Sequence, residues 1–263
     1  MTRPQVANRG RKRVVAVSDM HCGSIFGLTP PGMWHPAKNI KKMQRELWGF
    51  YEREAKALGK VDAVLAIGDL IDGKGLRQGG LETFESDMMA QAKIAAQCLG
   101  VFDAKQFVIC AGTPYHSGQE EDFEQITADI LGASFGGHEW AEAYGVVFDL
   151  KHKIGSSAVP HGRHTAMARE RLWNQLWALR DGAPKADILL RAHVHYFNFC
   201  GGPTWLGMTL PALQGLGSRY GVRQCSGVVD FGFVHFDIYP GGSYTWEPHL
   251  LRQQAAKPVP VKL

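Results

Sequence analysis

The sequence predicts an α/β layered sandwich. Three observations carry that prediction. Short apolar, β-branched runs recur along the chain, and stretches with apolar residues at helical spacing separate them. The last part is rich in glycine, aromatic and β-branched residues, which suits a β-rich closure of the layers.

Taken in order, residues 14–17 form the first apolar run, which stops at Ser18-Asp19. Residues 39–58 place Ile40, Met43, Leu47 and Phe50 on one side among Lys, Arg and Glu, which predicts a helix. A second apolar run, 61–67, is stopped by Gly68-Asp69. Residues 84–99 read as a helix with Met88, Met89, Ile94 and Ala95 on its apolar side. The third run, 107–110, gives way to Ala111-Gly112. Residues 120–131 read as a helix whose acidic first turn suits the positive end of the helix dipole. Beyond it, 145–150 reads as a strand, 165–179 as a helix, and 186–190 as a buried strand leading to Arg191-Ala192-His193. The stretch 204–246 predicts a meander of antiparallel strands.

At 263 residues, 45% of them hydrophobic, the chain can bury one sizeable core, so we expect a single domain over 13–255. A basic tail over 1–12 and a short tail over 256–263 flank it. No run approaches the roughly 18 apolar residues of a membrane span, and nothing at the start reads as a secretory leader. The five cysteines (Cys22, Cys98, Cys110, Cys200, Cys225) are odd in number and widely spaced, without a C-x-x-C pair. That argues against a disulfide framework and for a reducing cytoplasm. Net charge is only +4, with Arg9, Arg11, Lys12 and Arg13 clustered near the start. They read as a solvated tail or, alternatively, as phosphate contacts, and the charge alone identifies no nucleic-acid partner.

Each apolar strand ends in residues able to bind a hard or borderline divalent cation. The first leads to Asp19-Met20-His21, and the second to Gly68-Asp69-Leu70-Ile71-Asp72. The third leads to Gly112-Thr113-Pro114-Tyr115-His116, the fourth to His152, and the fifth to His193-Val194-His195. Strand carboxyl ends of an open α/β sheet converge on one crevice, so these side chains can meet. Carboxylate oxygen with imidazole nitrogen suits Mn, Fe, Zn or Ni better than Ca. In an extended segment residues i and i+2 share a side, so Asp19 and His21, or His193 and His195, can grip one ion together. Any one of these motifs alone is common in turns and surfaces. Their combination, in this order at successive strand ends, is specific.

That order resembles the calcineurin-like metallophosphoesterases, over roughly residues 14–195. The resemblance implies two mixed β-sheets packed face to face with α-helices outside. It implies a centre of two divalent metal ions in which Asp19, His21, Asp69 and His195 hold one ion, with Asp69 bridging. His152 and His193 would hold the second. The third motif departs from the family's usual G-N-H, because Thr113 occupies the Asn position and is assigned with the ligands. The form looks like the G-T-x-x-H variant of phage and prophage members. His116 is assigned as the phosphate-facing catalytic residue, with binding of the second metal as the alternative. His152 is preferred to His161 as the lone histidine ligand, and His138, His235 and His249 fall outside the motif order.

Around these, Asp72 is expected to position the turn after Asp69, and Cys22 to pack in the core. Arg163, Arg191 and Arg219 are candidates for neutralising a phosphate. Trp34, Trp205, Tyr196 and Phe197 are candidates for stacking a base, with core packing as the plainer role. The function implied is hydrolysis of a phosphodiester or phosphomonoester, with a small molecule or a nucleic acid as substrate. The Gly68-Asp69-Leu70-Ile71-Asp72-Gly73 turn lacks the Arg expected of protein Ser/Thr phosphatases. The competing expectations are a binding module of the same fold that has lost its chemistry, and a dinuclear hydrolase acting on another bond.

Overall fold

The computed structural model describes residues 10–76, 79–118, 121–157, 159–217 and 229–253. Residues 1–9 and 254–263, which hold most of the two expected tails, lie outside the described residues, as do Arg219 and Cys225.

The chain builds four layers. It begins with β1 (Lys12–Val17), α1 (Lys38–Ala57), β2 (Ala63–Ile67), α2 (Met88–Gly100) and β3 (Gln106–Cys110). The short α3 (Pro114–Ser117), α4 (Phe123–Leu131) and β4 (Ser134–Gly136) follow. Then come β5 (Glu139–Ala143), β6 (Val146–Leu150), α5 (Gly162–Arg180), β7 (Ile188–Arg191), β8 (Asn198–Gly202) and β9 (Trp205–Thr209). Finally β10 (Phe231–Ile238) and β11 (Tyr244–Leu251) close the fold. The first sheet has the order β11-β10-β1-β2-β3-β4, and the second β5-β6-β7-β9-β8. Both are mixed: β1, β2, β3 and β4 run parallel while β10 is antiparallel to its neighbours, and β6, β7 and β9 run parallel between antiparallel edges.

The period-two alternation of the strands sets the layering. Val15, Val17, Val64 and Ala66 face a core that includes Leu47 and Tyr51 of α1, Ile94, Ala95 and Leu99 of α2, and Ala128 of α4. Their neighbours Val14, Ala16, Leu65 and Ile67, with Phe236 of β10, face the second sheet, meeting Phe148, Leu150, Ile188 and Leu190. A third core joins Met167 of α5 to Leu189, Val194 and Tyr196. Each such buried side chain contributes roughly 2 kcal/mol of transfer free energy. The two-sheet sandwich with helices outside is therefore the one that the sequence predicts.

Several elements differ from expectation for local reasons. Helix α2 starts at Met88 and not at 84, because the Asp87 carboxylate accepts from the N–H groups of Met89 and Ala90 and caps it there. Asp122 caps α4 in the same way through Glu124 N–H, and Gly132 ends it in a left-handed conformation. The predicted meander over 204–246 is wrong: β9 lies in the second sheet, parallel to β7, whereas β10 and β11 form a hairpin on the first. The short strands β4, β5 and β8 carry too little apolar alternation to be read from sequence. The basic cluster is also tied down where it is described. Arg13 makes a bidentate pair with Asp237 at 2.8 Å, and Arg11 reaches the same carboxylate at 3.2 Å. No helix among the described residues is long and apolar enough to cross a membrane.

Candidate metal centre

The loops after β1, β2, β3, β6 and β7 meet at one end of the two sheets, and backbone hydrogen bonds fasten them to one another. Asp19 N–H donates to Gly68 O and His21 N–H to Asp69 O, both at 3.0 Å, while Ala192 N–H donates to His152 O at 2.8 Å. The conformation is not the extended one expected of D-x-H and H-x-H. Seven non-glycine residues have positive φ among the described residues, and five are Asp19, His21, Asp69, His193 and His195. Such backbone costs about 1–3 kcal/mol per residue and persists only where its surroundings enforce it. The expected extended pairs are thus replaced by left-handed turns, which aim the side chains inward from tight loops.

Three groups of ligand-type atoms result, each with its atoms within 4.8 Å of one another: Asp19, His21 and His195; Asp69, His152 and His193; and His21, Asp69 and His116. His195 Nε2 lies 3.3 Å from both Asp19 Oδ1 and His21 Nε2. His152 Nε2 lies 3.1 Å from Asp69 Oδ2 and 4.0 Å from Asp19 Oδ1, so the first two groups adjoin. Asp19, Asp69, His21, His152 and His195 are buried, whereas the side chains of His193 and His116 keep 26% and 14% exposure and mark the open side.

Supporting contacts fix which nitrogen each imidazole presents. His21 Nδ1 faces Asp72 Oδ1 at 3.1 Å, and His152 Nδ1 donates to Ile67 O at 2.8 Å; each turns Nε2 toward the centre. His116 Nδ1 donates to Asp72 O at 2.8 Å, which leaves Nε2 available. Burial pushes the Asp69 carboxyl up, but His152 and His116 outweigh it and hold it well below the usual range. Burial likewise opposes ionisation of Asp19, yet His195 and His152 hold its pKa at about 2. Burial would lower His152, but Asp69 raises it to about 10. Burial lowers both His195 and His116.

These residues fit divalent cations. Among the described residues, Asp19 Oδ1 and His152 Nε2 are buried without a well-aligned hydrogen bond, although each lies within 3.3 Å of a polar atom. Close but misaligned lone pairs of carboxylate and imidazole are what a shared cation would satisfy. A proton on His152 Nε2 and a cation compete for that one lone pair.

Other expected residues have different surroundings. Thr113 donates its N–H at 2.7 Å and its hydroxyl at 3.0 Å to Asp69 Oδ1, so its contact is with a candidate ligand. His152, and not His161, is the histidine that the fold brings to Asp69. Arg191 does not face the centre: it is fully buried behind it, paired with Asp149 and Glu170. Arg163 stacks 3.9 Å above the ring of Tyr196. Trp34 and Trp205 lie under Arg45 and Arg171, and Phe197 packs on Phe199 and Trp246. His138 binds Asp149, and His235 and His249 bind each other, all away from the three groups.

Two positioning residues were missed. Glu124 is fully buried and its carboxylate accepts Leu70 N–H at 2.5 Å and Gly112 N–H at 2.7 Å, tying the second loop to the third. Gln91, also buried, accepts from Gly73 N–H at 2.8 Å and donates to Gly73 O at 2.9 Å. Glu124 is the second residue of α4 and Gln91 the fourth of α2, first-turn positions where a polar residue reads as surface.

A scan against family models finds no match, and a search of curated proteins finds none either. Solved structures do match. Vps29 from Entamoeba histolytica complexed with zinc aligns at 15% identity and a TM-score of 0.47, covering 90% of this chain and 97% of that one. Vps29 from Chaetomium thermophilum complexed with a cyclic peptide aligns at 11% and 0.45, covering 92% and 96%. A predicted phosphoesterase from Streptococcus pneumoniae aligns at 12% and 0.39, covering 90% and 98%.

Proposed function

We propose that this chain is a metal-dependent phosphoesterase of the calcineurin-like kind, hydrolysing a phosphodiester or phosphomonoester. The observation that carries the reading is the adjoining pair of ligand groups, Asp19-His21-His195 and Asp69-His152-His193, with His152 Nε2 within 4.0 Å of both carboxylates. Two divalent cations bound there would polarise a phosphoryl group and lower the pKa of a water. Asp69 belongs to two of the three ligand groups and would contribute to holding both cations, and Thr113 orients its carboxylate. His116, anchored through Nδ1 by Asp72 O, presents Nε2 at the open side; in its imidazolium form, favoured by a bound phosphate, it would donate a hydrogen bond to a phosphate oxygen or a proton to the leaving oxygen.

A binding module without chemistry is the second reading, favoured by Thr113, whose hydroxyl is already used on Asp69. One experiment separates the two. Metal content per chain is measured after loading with Mn, Zn or Ni, alongside turnover of an aryl phosphomonoester and an aryl phosphodiester. The phosphoesterase reading expects bound metal and turnover that Asp69→Asn or a chelator abolishes. Full activity after either treatment rejects it, and bound metal without turnover favours the module.

A further inference from the structure

We propose that the outer face of α5 is a platform for a single-stranded nucleic acid that leads its phosphodiester backbone into the metal centre. This rests on the phosphoesterase reading and names its substrate class. Arg169, Trp173, Trp177 and Arg180 follow one another at spacings of four, four and three, so they share one helix face. Trp173 is 45% exposed, and its ring lies 6.1 Å from that of Trp177 with only 23° between the planes. The aromatic row continues from Trp177 to His138 at 5.3 Å, and His138 stacks on Trp140 at 4.0 Å. Lys151 Nζ sits 5.5 Å from the Trp177 ring centre.

Charge on this face is predominantly positive, although the exposed Asp181 follows Arg180 and Glu139 stands between His138 and Trp140. From Lys151 to Arg180, every Lys, Arg, Asp or Glu that reaches solvent is a cation: Lys151, Lys153, Arg163, Arg169 and Arg180. The single acid in that span, Glu170, is buried against Arg191. The strip is also continuous with the centre. Lys151 precedes His152, the Arg169 guanidinium lies against Gly155 in the same loop, and Arg163 covers Tyr196, the residue after His195.

Aromatic faces stack any unpaired base, and a row of cations tracks the phosphates, which together recognise single strands without a sequence code. A duplex keeps its bases stacked on one another and leaves the tryptophans nothing to hold. Charge complementarity therefore selects a polyanion, and the exposed indole selects one with free bases.

The test is anisotropy of a fluorescein-labelled oligothymidylate of roughly 16 nucleotides, a length that spans one such site. The full chain is used in chelator, so that binding is read apart from hydrolysis. Salt-dependent binding with quenching of tryptophan fluorescence is expected. Trp173→Ala should weaken it about tenfold or more. Arg169→Ala should weaken it and flatten the salt dependence by roughly 0.7 in log–log slope, one phosphate contact. Both variants should turn over the aryl phosphodiester at the wild-type rate with metal present. Oligouridylate competition distinguishes DNA from RNA. No binding at low salt, binding that neither variant weakens, or a face that instead holds a second copy of the chain or anionic vesicles would overturn the proposal. Aryl diester turnover without oligonucleotide binding defeats the platform alone. Binding without turnover of any phosphoester defeats the phosphoesterase reading alone.

Discussion

The Nδ1 atom of His21 lies 3.1 Å from Asp72 Oδ1, and the same aspartate offers its backbone oxygen to His116 Nδ1 at 2.8 Å. One residue thus sets the ring orientation of a candidate ligand and of the candidate acid. Burial alone would lower His21, but Asp72 raises its pKa. Replacing Asp72 by Asn keeps the shape and removes the charge. We expect metal affinity to fall roughly 10- to 100-fold, the usual cost of losing such a partner. Calorimetric titration with Mn or Zn measures it, and unchanged affinity would mean that Asp72 serves only the turn.

Two glycines give opposite expectations for the same substitution. A Cβ on Gly112 would stand 2.2 Å from Asp69 N and 2.3 Å from Asp69 Oδ1, and backbone atoms cannot step aside. Gly112→Ala should therefore lose metal binding and at least about 1 kcal/mol of stability. Gly49 lies exposed within α1 with nothing within 4 Å of its Cβ position. Gly49→Ala should stabilise by up to about 1 kcal/mol, since alanine loses less entropy in a helix. Thermal melts of the two variants, with metal content, decide both; a Gly112→Ala chain that binds metal normally would contradict the close approach.

Arg191 shows how much of the centre's support lies behind it. Its Nη1 donates to Asp149 Oδ1 at 2.8 Å and its Nε to Glu170 Oε2 at 3.0 Å, with the whole side chain buried. Removing one member of such a cluster leaves uncompensated charge, at about 3–5 kcal/mol. Arg191→Met should lower stability by that order in urea unfolding while the folded protein keeps its metal content. Arg191→Lys should not fully restore it, because a compact ammonium lacks the planar fork whose Nε and Nη1 reach the two acceptors from separate nitrogens. Loss of metal with full stability would instead return Arg191 to the substrate side.

The candidate ligands were legible because strand ends punctuate the sequence with Gly, Asp and His. The apolar runs before Asp19, Asp69 and His193 are short; parallel pairing joins the first two ends in one sheet, and joins the His193 end to the His152 end in the other. What the sequence could not carry is contact between distant segments. Nothing local marks Glu124 as the acceptor that joins Leu70 to Gly112, or Arg191 as buried. The left-handed backbone at Asp19 and His193 is equally invisible, because it is imposed by hydrogen bonds from other loops. Trp173 and Trp177 fall within the predicted helix, and only the fold reveals that α5 turns Trp173 outward.

Far from the centre, a histidine pair makes stability depend on acid. His249 Nδ1 donates to Glu54 Oε2 at 3.2 Å, so its Nε2 accepts from His235 Nδ1 at 2.8 Å. Burial and the neighbouring Arg13 lower His235 to about 4 from its ordinary 6.5, against the opposing pull of Asp237 and Glu247, while His249 adds to the lowering. Between those values the unfolded chain binds a proton that the folded chain refuses. Stability from this group is therefore intact at neutral pH and declines as pH falls from about 6.5 toward 4, by up to about 3 kcal/mol. His235→Gln cannot take up the proton in either state. Its melting temperature should start lower, for want of the hydrogen bond, and fall less steeply over that window. Melts of both chains from neutral pH to about pH 4 give the comparison. Parallel curves would show that His235 titrates alike in the folded and unfolded chains, and that the acid sensitivity arises elsewhere.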